Sequence, residues 1–213
     1  MSGISIIGLG NMARVLATIA VAGGNTVEVI GRDATKAADL ASALGGGATA
    51  GEFGAAPAGD IVILAVPYAS AAPVVSKYGD ALAGKVIVDV TNTFAPPDFT
   101  GLVTPEGSSA AQEIAEAAPA GAHVVKAFNT LFGHVLAARQ AGDRPLDVFI
   151  AGDDAGAKAR VSSFIESLGL RPLDTGGLKM AHWLEGAGLL MMGLAMGGSV
   201  NGSNFSLGVS VLR

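Results

Sequence analysis

Ile4-Ser5-Ile6-Ile7-Gly8-Leu9-Gly10-Asn11-Met12-Ala13 is the stretch of sequence that decides the fold. An apolar, β-rich run leads into a glycine turn, and residues 14–22 then continue without proline or glycine, as a helix does. A second apolar run, Val27-Glu28-Val29-Ile30, follows at the expected distance. This order of strand, turn, helix and strand is typical of a dinucleotide-binding βαβ unit.

The small residues of the turn have distinct physical roles in such a unit. Gly8 lets the first strand turn sharply, and Gly10 lets the backbone approach a pyrophosphate at the helix N-terminus. Ala13 stands at the third glycine position, where a small side chain still allows helix and strand to pack closely. Because 31 of the 213 residues are glycines, the glycine pattern alone is weak evidence for a dinucleotide site. The strand before it and the helix after it make the prediction stronger.

The end of the second strand indicates which dinucleotide binds. An NAD site places Asp or Glu there, whereas this strand ends in Gly31 and Arg32, and the Arg32 guanidinium matches the geometry of a 2′-phosphate. Lys36, one helical turn later, supplies a second positive charge. Asp33 could bond a ribose, but we expect it to cap the helix that begins near Ala34, which favours NADP over NAD. The alternative is that Arg32 and Lys36 form only a solvated helix start.

Composition excludes several classes of function. The net charge is −5 and only 15% of residues are charged, so we expect no binding of nucleic acid or anionic lipid. There is no cysteine, which removes disulfides, thiol nucleophiles and cysteine-bound metals, and the three histidines lack metal-ligand spacing. No signal peptide or membrane segment is visible, so we expect a cytoplasmic protein.

Alternating strand and helix signals continue through most of the chain. They predict a doubly wound, mostly parallel α/β Rossmann sheet in residues 1–175, followed by a C-terminal helical segment in residues 176–213. Further strands are predicted at 61–67, 85–92, 124–129, 147–152 and 170–174. Helices are predicted at 34–44, 69–82, 110–118 and 155–168.

Ligands of open α/β sheets lie beyond the carboxyl ends of the strands. We therefore expect one crevice to be lined by the glycine turn, by Arg32, and by the segments that follow the later strands. These segments are Ala65-Val66-Pro67-Tyr68, Thr91-Asn92-Thr93 and the loop from Asn129 to Gly133.

The chain resembles a known family over nearly its whole length, the deazaflavin-dependent NADP oxidoreductases, or NADPH:coenzyme F420 oxidoreductases. Residues 82–93 and 124–129 are also similar to the cytoplasmic reductase domain of the six-transmembrane metalloreductases. The resemblance is carried by Gly8-Leu9-Gly10-Asn11-Met12, Gly31-Arg32, Ala65-Val66-Pro67-Tyr68, and the segments 82–93, 124–130, 151–154 and 169–176.

This resemblance implies NADP as cofactor and a deazaflavin (F420) or a flavin (FMN or FAD) as a small-molecule hydride acceptor. It also implies a homodimer. The implied cofactor residues are Gly8, Leu9, Gly10, Asn11 and Met12 for the pyrophosphate; Gly31, Arg32, Asp33 and Lys36 around the adenosine; and Ala65, Val66, Pro67, Tyr68, Asn92, Asn129 and Gly133 on the nicotinamide side.

Direct hydride transfer needs no obligatory acid or base, since the cofactors carry the chemistry. We accordingly assign no catalytic side chain and no metal. A reductase of a small carbonyl or imine would need a proton donor, for which Tyr68, Lys126 and His134 are the candidates. Lys126 either orients an acceptor carbonyl or extends its stem to the end of the sheet. A sensor that binds NADP without catalysis is the third hypothesis.

The C-terminal segment 178–199 is apolar on more than one face. Leu184, Leu189, Leu190, Met191, Met192, Leu194 and Met196 provide this character. A helix of this kind must be covered all round, and a second subunit is the simplest cover. Burial within a single chain is the alternative. Several glycines, Gly186 to Gly198, would permit close helix approach.

Overall fold

The computed structural model describes residues 2–95, 97, 99–138, 140–141, 144–196 and 209–211. Its centre is an eight-stranded sheet in the order β10-β9-β6-β5-β4-β1-β2-β3, and a separate two-stranded hairpin pairs β7 with β8. The strands are β1 Gly3–Ile7, β2 Thr26–Ile30, β3 Thr49–Gly51, β4 Ile61–Leu64, β5 Val86–Asp89, β6 His123–Lys126, β7 Gln140–Ala141, β8 Arg144–Pro145, β9 Asp147–Gly152 and β10 Arg171–Asp174.

Helices cover both faces of the sheet. They are α1 Asn11–Ala22, α2 Ala34–Leu44, α3 Tyr68–Tyr78, α4 Ala110–Ala117, α5 Gly133–Ala138, α6 Ala155–Ser167 and α7 Ala181–Met196, with short 3₁₀ turns at Gly79–Leu82 and Leu178–Met180. One apolar cluster joins the sheet to α1, α2, α5 and α6. A second cluster joins it to α3, α4 and the start of α7. The doubly wound α/β fold is therefore confirmed.

All pairings in the large sheet are parallel except that between β6 and β9. Lys126 of β6 is opposite Ala151 of β9 in this antiparallel pair. The chain stays at the carboxyl edge of the sheet after β6, where it forms α5 and the hairpin, so β9 runs back from that edge. Neither α5 nor the hairpin was predicted, because both are short and lack a strong apolar period.

Several predicted boundaries were wrong. The strands predicted at 61–67, 85–92 and 124–129 end at Leu64, Asp89 and Lys126. After β4 the chain leads into α3, for which Pro67 is the N-cap residue, whereas the residues after β5 and β6 turn out of the sheet to make polar contacts. The helix predicted at 69–82 is α3 followed by a 3₁₀ turn. The division at residue 175 stays a prediction, and residues 197–199 of the predicted apolar segment lie outside the described residues.

Asp147, at the start of β9, is a buried acceptor of four hydrogen bonds. Two come from the Arg171 guanidinium of β10, and two come from the Ser210 hydroxyl and the Val211 amide, each at 2.8 Å. The Arg171 hydrogen bonds are the main cause that lowers the pKa of Asp147 to about 2. The carboxylate thus ties together the neighbouring strand and the C-terminal residues.

Replacing Asp147 with Asn should destabilise the protein at pH 7 by about 2 kcal/mol, since a lowered pKa stabilises the fold at about 1.4 kcal/mol per unit. The ionised form is favoured in the folded state, so this stabilisation is complete above about pH 5 and is lost as the pH falls toward 2. Urea unfolding at several pH values should show the difference between Asp147→Asn and the parent protein shrink over this range. The exposed Asp39→Asn is the control, and a difference independent of pH would contradict the assignment.

Candidate functional site

The glycine turn brings the end of β1 against the end of β4. Gly8 has φ +128°, a value that side chains rarely tolerate, and its amide donates to the Ile30 carbonyl at 2.8 Å. A Cβ added at Gly8 would lie 2.1 Å from the Ala65 carbonyl oxygen. Only glycine fits, because this approach would force any side chain into the backbone of the chain leaving β4.

The N-terminus of α1 faces open space immediately after this turn. Gly10 is the N-cap, no side chain caps the helix, and its first turn has no acidic residue. A Cβ added at Gly10 would meet no atom within 4 Å. Amide groups at a helix N-terminus that are left open in this way suit an anion. The residues present therefore fit the pyrophosphate of a dinucleotide.

A groove of about 600 Å³ runs across the ends of β1, β2 and β4, a size suited to part of a dinucleotide. Most of the predicted nucleotide residues line it. From the turn and the end of β2 these are Gly8, Leu9, Gly10, Gly31, Arg32 and Asp33, and from the end of β4 they are Ala65, Val66 and Pro67.

The end of β2 is shaped for phosphate. A Cβ added at Gly31 would lie 2.4 Å from Leu9 Cδ1, so Gly31 makes room for the Leu9 side chain. Arg32 is exposed on the groove and forms no ion pair with any residue that the structure describes. Its guanidinium is thus available for an anionic ligand.

Asp33 caps α2, as expected, by accepting a hydrogen bond from the Lys36 amide at 3.1 Å. Lys36 Nζ lies 3.4 Å from Asp33 Oδ2, and the Lys36 side chain is 71% exposed. Lys36 does not line the groove. The role of Lys36 in binding the 2′-phosphate stays a prediction.

Lys77 of α3 is a groove residue that we did not predict. Its Nζ lies 5.7 Å from the centre of the Phe53 ring, and both residues line the groove. Ala69, Pro73 and Lys77 are spaced four residues apart, so they share one face of α3. That spacing, which begins at Ala69 just after Pro67, is the signal that could have identified Lys77 as a second cation near the groove.

On the opposite side of the sheet centre, Asn92 and Asn129 join the ends of β5 and β6. Asn92 Nδ2 donates to the Asn129 carbonyl, and Asn129 Nδ2 donates to Asn92 Oδ1, each at 2.9 Å. Asn129 Nδ2 also donates to the Leu184 carbonyl of α7 at 2.8 Å. Phe128, with φ +63°, turns the chain so that Asn129 reaches these partners.

The remaining predicted residues lie outside the groove lining. A Cβ added at Gly133 would lie 2.6 Å from Asn11 Nδ2, so the start of α5 is close to the start of α1. Met12 packs against the core beneath the turn. The roles of all the predicted residues in cofactor binding, inside and outside the groove lining, stay predictions.

Both interpretations of Lys126 were wrong. Its side chain is completely buried, and its ammonium group donates to Asp89 Oδ2 at 2.8 Å, to Glu185 Oε1 at 2.7 Å and to the Thr91 carbonyl at 2.6 Å. All three ammonium hydrogens are used inside the protein. Lys126 therefore neither extends into solvent at the end of the sheet nor presents a proton to a substrate.

The two other candidate proton donors are differently placed. The Tyr68 hydroxyl donates to Glu113 Oε2 at 2.8 Å, and burial, followed by this hydrogen bond, raises the pKa of Tyr68 to about 12. Tyr68 does not line the groove. His134 is exposed, and its ring stacks on Phe132 with the ring centres 5.8 Å apart.

The structure also bears on metal binding and on membrane insertion. Among the residues that the structure describes, no three His, Asp or Glu side chains are grouped as metal ligands would be. No helix within the described ranges has the length and apolar character needed to cross a membrane.

Comparison with known proteins gives a consistent picture. A family model described as NADP oxidoreductase, coenzyme F420-dependent, matches residues 3–93. The chain is 34% identical to the metalloreductase STEAP3 of Rattus norvegicus over 194 residues, and 29% identical to the F420-dependent NADP reductase of Methanocaldococcus jannaschii over 147 residues. A solved structure of a putative F420-dependent NADP reductase from Arthrobacter sp. FB24 superposes with a TM-score of 0.82 and 25% identity, covering 99% of this chain and 100% of that one.

The extent of the matches differs between these relatives. The alignment with STEAP3 covers 89% of this chain but 37% of STEAP3. The alignment with the Methanocaldococcus reductase covers 66% of this chain and 64% of that protein. The part of the chain that the family model matches, residues 3–93, includes all the residues that line the groove.

Replacing Arg32 with Ala should weaken NADPH binding by about 10- to 100-fold and leave NADH binding nearly unchanged. The reason is that charge-assisted hydrogen bonds to the 2′-phosphate are worth about 1.5–3 kcal/mol. Fluorescence titration with each nucleotide measures the effect. Equal losses for NADPH and NADH would show that Arg32 has another role.

Lys77 and Lys36 form a matched pair for the same titration. We expect Lys77→Met to weaken NADPH binding several-fold more than NADH binding, because Lys77 lines the groove. We expect Lys36→Met to have a smaller effect, since Lys36 is solvated and paired with Asp33. The reverse order would favour the assignment made from the sequence.

Proposed function

Because the chain belongs to the family of NADP oxidoreductases described as coenzyme F420-dependent, we propose that it transfers a hydride between NADP(H) and a deazaflavin or flavin acceptor. The candidate acceptors are coenzyme F420, FMN and FAD. The activity and acceptor of this chain are proposals, since it spans only part of the length of its curated relatives.

One observation carries the cofactor assignment. The open N-terminus of α1, the glycine turn and the unpaired guanidinium of Arg32 all border one groove. In a Rossmann dinucleotide site the pyrophosphate lies at the helix N-terminus and the 2′-phosphate lies at the end of the second strand, and these features occur in the same order here. No carboxylate takes the NAD-type position, because Asp33 is engaged in capping α2.

The strand ends would orient the nicotinamide half. When bound, NADPH supplies the hydride from its nicotinamide ring. The contribution of the protein is to hold this ring at the end of β4, where Pro67 stiffens the chain, and to keep β5 and β6 in register through Asn92 and Asn129. Elements held by the sheet place a ring more accurately than free loops do.

Two of the three proton-donor candidates, Lys126 and Tyr68, are engaged inside the protein, which supports direct hydride transfer over reduction of a carbonyl or imine. Lys126 is sealed inside the protein, and the Tyr68 hydroxyl is bonded to Glu113 with a raised pKa. Reduction of a carbonyl to an alcohol, or of an imine to an amine, needs a proton as well as a hydride, and a flavin or deazaflavin acceptor can take its proton from water.

The test is NADPH oxidation, followed at the nicotinamide absorbance, with F420, FMN and FAD offered separately. We expect turnover with at least one of them and a strong loss in Arg32→Ala at low NADPH concentration. A panel of cyclic imines and small ketones serves as the comparison. Turnover only with that panel would refute the acceptor class, whereas tight NADPH binding with no turnover would indicate a sensor.

We also propose that the protein is a homodimer that pairs through α7. The inner face of α7, which includes Leu184, Gly188 and Met191, is buried by its own chain. The outer face carries Trp183, Leu190 and Met196, which are 67%, 61% and 57% exposed. This pattern supports a second subunit as the cover of the outer face, rather than burial of the helix within one chain. An exposed apolar helix face with glycines at positions 186 and 193 suits a second copy of the same helix.

Replacing Leu190 with Asp should convert this dimer to a monomer or cause aggregation, because it places a charge in the centre of the apolar face. Light scattering at micromolar concentration gives the mass, for comparison with the 21.0 kDa chain. Ala43→Asp, at an exposed position of α2, is the control and should leave the mass unchanged. A monodisperse monomer for the unmodified protein would refute the proposal.

A further inference from the structure

We propose that Glu185 of α7 is a positioning residue for the nicotinamide half of the cofactor. This inference deepens the proposed function and depends on NADP(H) binding in the groove. The Glu185 side chain does not line the groove. It acts on the cofactor site through the loop 91–93 and through Asn129.

Glu185 is the centre of a fully buried polar cluster. Its Oε1 accepts from Lys126 Nζ at 2.7 Å and from the Ala110 amide, at the N-terminus of α4, at 3.0 Å. Its Oε2 accepts from the Thr93 hydroxyl at 2.8 Å. The side chains of Glu185 and Lys126 are both 0% exposed. One carboxylate therefore joins α7 to β6, to α4 and to the segment after β5.

The same cluster fixes the loop that leaves β5. Asp89, the last residue of β5, accepts from the Thr91 amide at 2.8 Å, and the Thr91 carbonyl accepts from Lys126 Nζ at 2.6 Å. Thr93 is then held by Glu185. Asn92 lies between these two fixed points. Its position thus depends on both carboxylates of the cluster.

The topology places this loop on the nicotinamide side of the crevice. The order of strands reverses between β1 and β4, so the two halves of a dinucleotide lie on opposite sides of this point. The end of β2, with Arg32, belongs to the adenosine half. The ends of β5 and β6, which carry Asn92 and Asn129, belong to the other half.

A second set of contacts keeps α7 in register with this loop. Asn129 Nδ2 donates to the Leu184 carbonyl, and a Cβ added at Gly188 would lie 2.8 Å from Asn92 Oδ1. Helix α7 thus lies in close contact with the Asn92 and Asn129 pair. A small shift of the helix would displace both amides, and Glu185 is the ionic contact that prevents this shift.

Removal of Glu185 has a predictable physical consequence. It leaves the Lys126 ammonium with one fewer carboxylate and leaves the Ala110 amide and the Thr93 hydroxyl without their acceptor, in a place that water does not reach. The loop and α7 must then rearrange. Gln would retain an acceptor oxygen for Lys126 and Ala110, and the Thr93 hydroxyl can rotate to accept from the Gln amide.

The experiment compares the binding of NADPH with that of 2′,5′-ADP, which has the 2′-phosphate and adenosine but no nicotinamide. Isothermal calorimetry would be run on the unmodified protein and on Glu185→Ala, Glu185→Gln and Thr93→Val. We expect NADPH affinity to fall about tenfold in Glu185→Ala and about threefold in Thr93→Val, with intermediate behaviour in Glu185→Gln. The affinity for 2′,5′-ADP should stay within about twofold in each.

Matched controls separate positioning from general loss of structure. Glu116→Gln on the exposed side of α4 and Thr18→Val on the exposed side of α1 should change neither affinity. Thermal unfolding identifies variants that do not fold. If Glu185→Ala fails to fold, Thr93→Val decides, because it removes one hydrogen bond without leaving a buried charge unpaired.

The outcomes distinguish this inference from the proposed function. A parallel loss of NADPH and 2′,5′-ADP affinity in a folded variant, or no loss of NADPH affinity in Glu185→Ala or Thr93→Val, would overturn the role of Glu185. If the unmodified protein binds NADPH but does not oxidise it with any of the acceptors tested, hydride transfer is refuted. The comparison of NADPH with 2′,5′-ADP then still decides the role of Glu185. An unmodified protein that binds neither nucleotide would overturn both.

Discussion

The ammonium group of Lys126 holds together β5, β6 and α7, which form the half of the molecule on the nicotinamide side of the sheet. Burying a lysine without water is costly, and the cost is offset only because two carboxylates and a carbonyl accept all three of its hydrogens. These acceptors belong to β5, to the loop after it and to α7. Strand order, loop path and helix position on this side of the sheet therefore depend on one group of charges.

The half of the molecule that contains the groove, from β1 to β4, depends instead on glycines, whose lack of a side chain allows close contacts. Gly8 permits the contact between β1 and the chain leaving β4, Gly10 leaves the start of α1 open, and Gly31 makes room for Leu9. Such constraints are local, and each is visible as a glycine at a defined place after a strand. This is why the strand, turn and helix, the groove position of Arg32 and the capping role of Asp33 could be predicted from sequence.

The buried contacts of Lys126 and Glu185 could not be predicted from the sequence, because they join residues that are far apart in the chain. Lys126 and Glu185 are 59 residues apart, and no local pattern indicates that they meet. The same polar contacts explain why β5 and β6 are shorter than their apolar runs suggested, since Thr91 and Asn129 leave the sheet to bond the cluster and α7. The antiparallel β9 likewise depends on a connection made of short elements.

The groove half and the half that contains the Lys126 cluster also differ in how much sequence variation their geometry allows. The family model matches residues 3–93 and ends at Thr93, the residue whose hydroxyl bonds Glu185. Every groove residue lies within that range, whereas the cluster joins its last strand to β6, α4 and α7, which follow it in the chain. Backbone geometry set by glycines leaves little room for variation in the nucleotide half. The exposed face of α7, by contrast, can change without disturbing either that backbone geometry or the buried contacts through which Glu185 and Leu184 hold the helix in register.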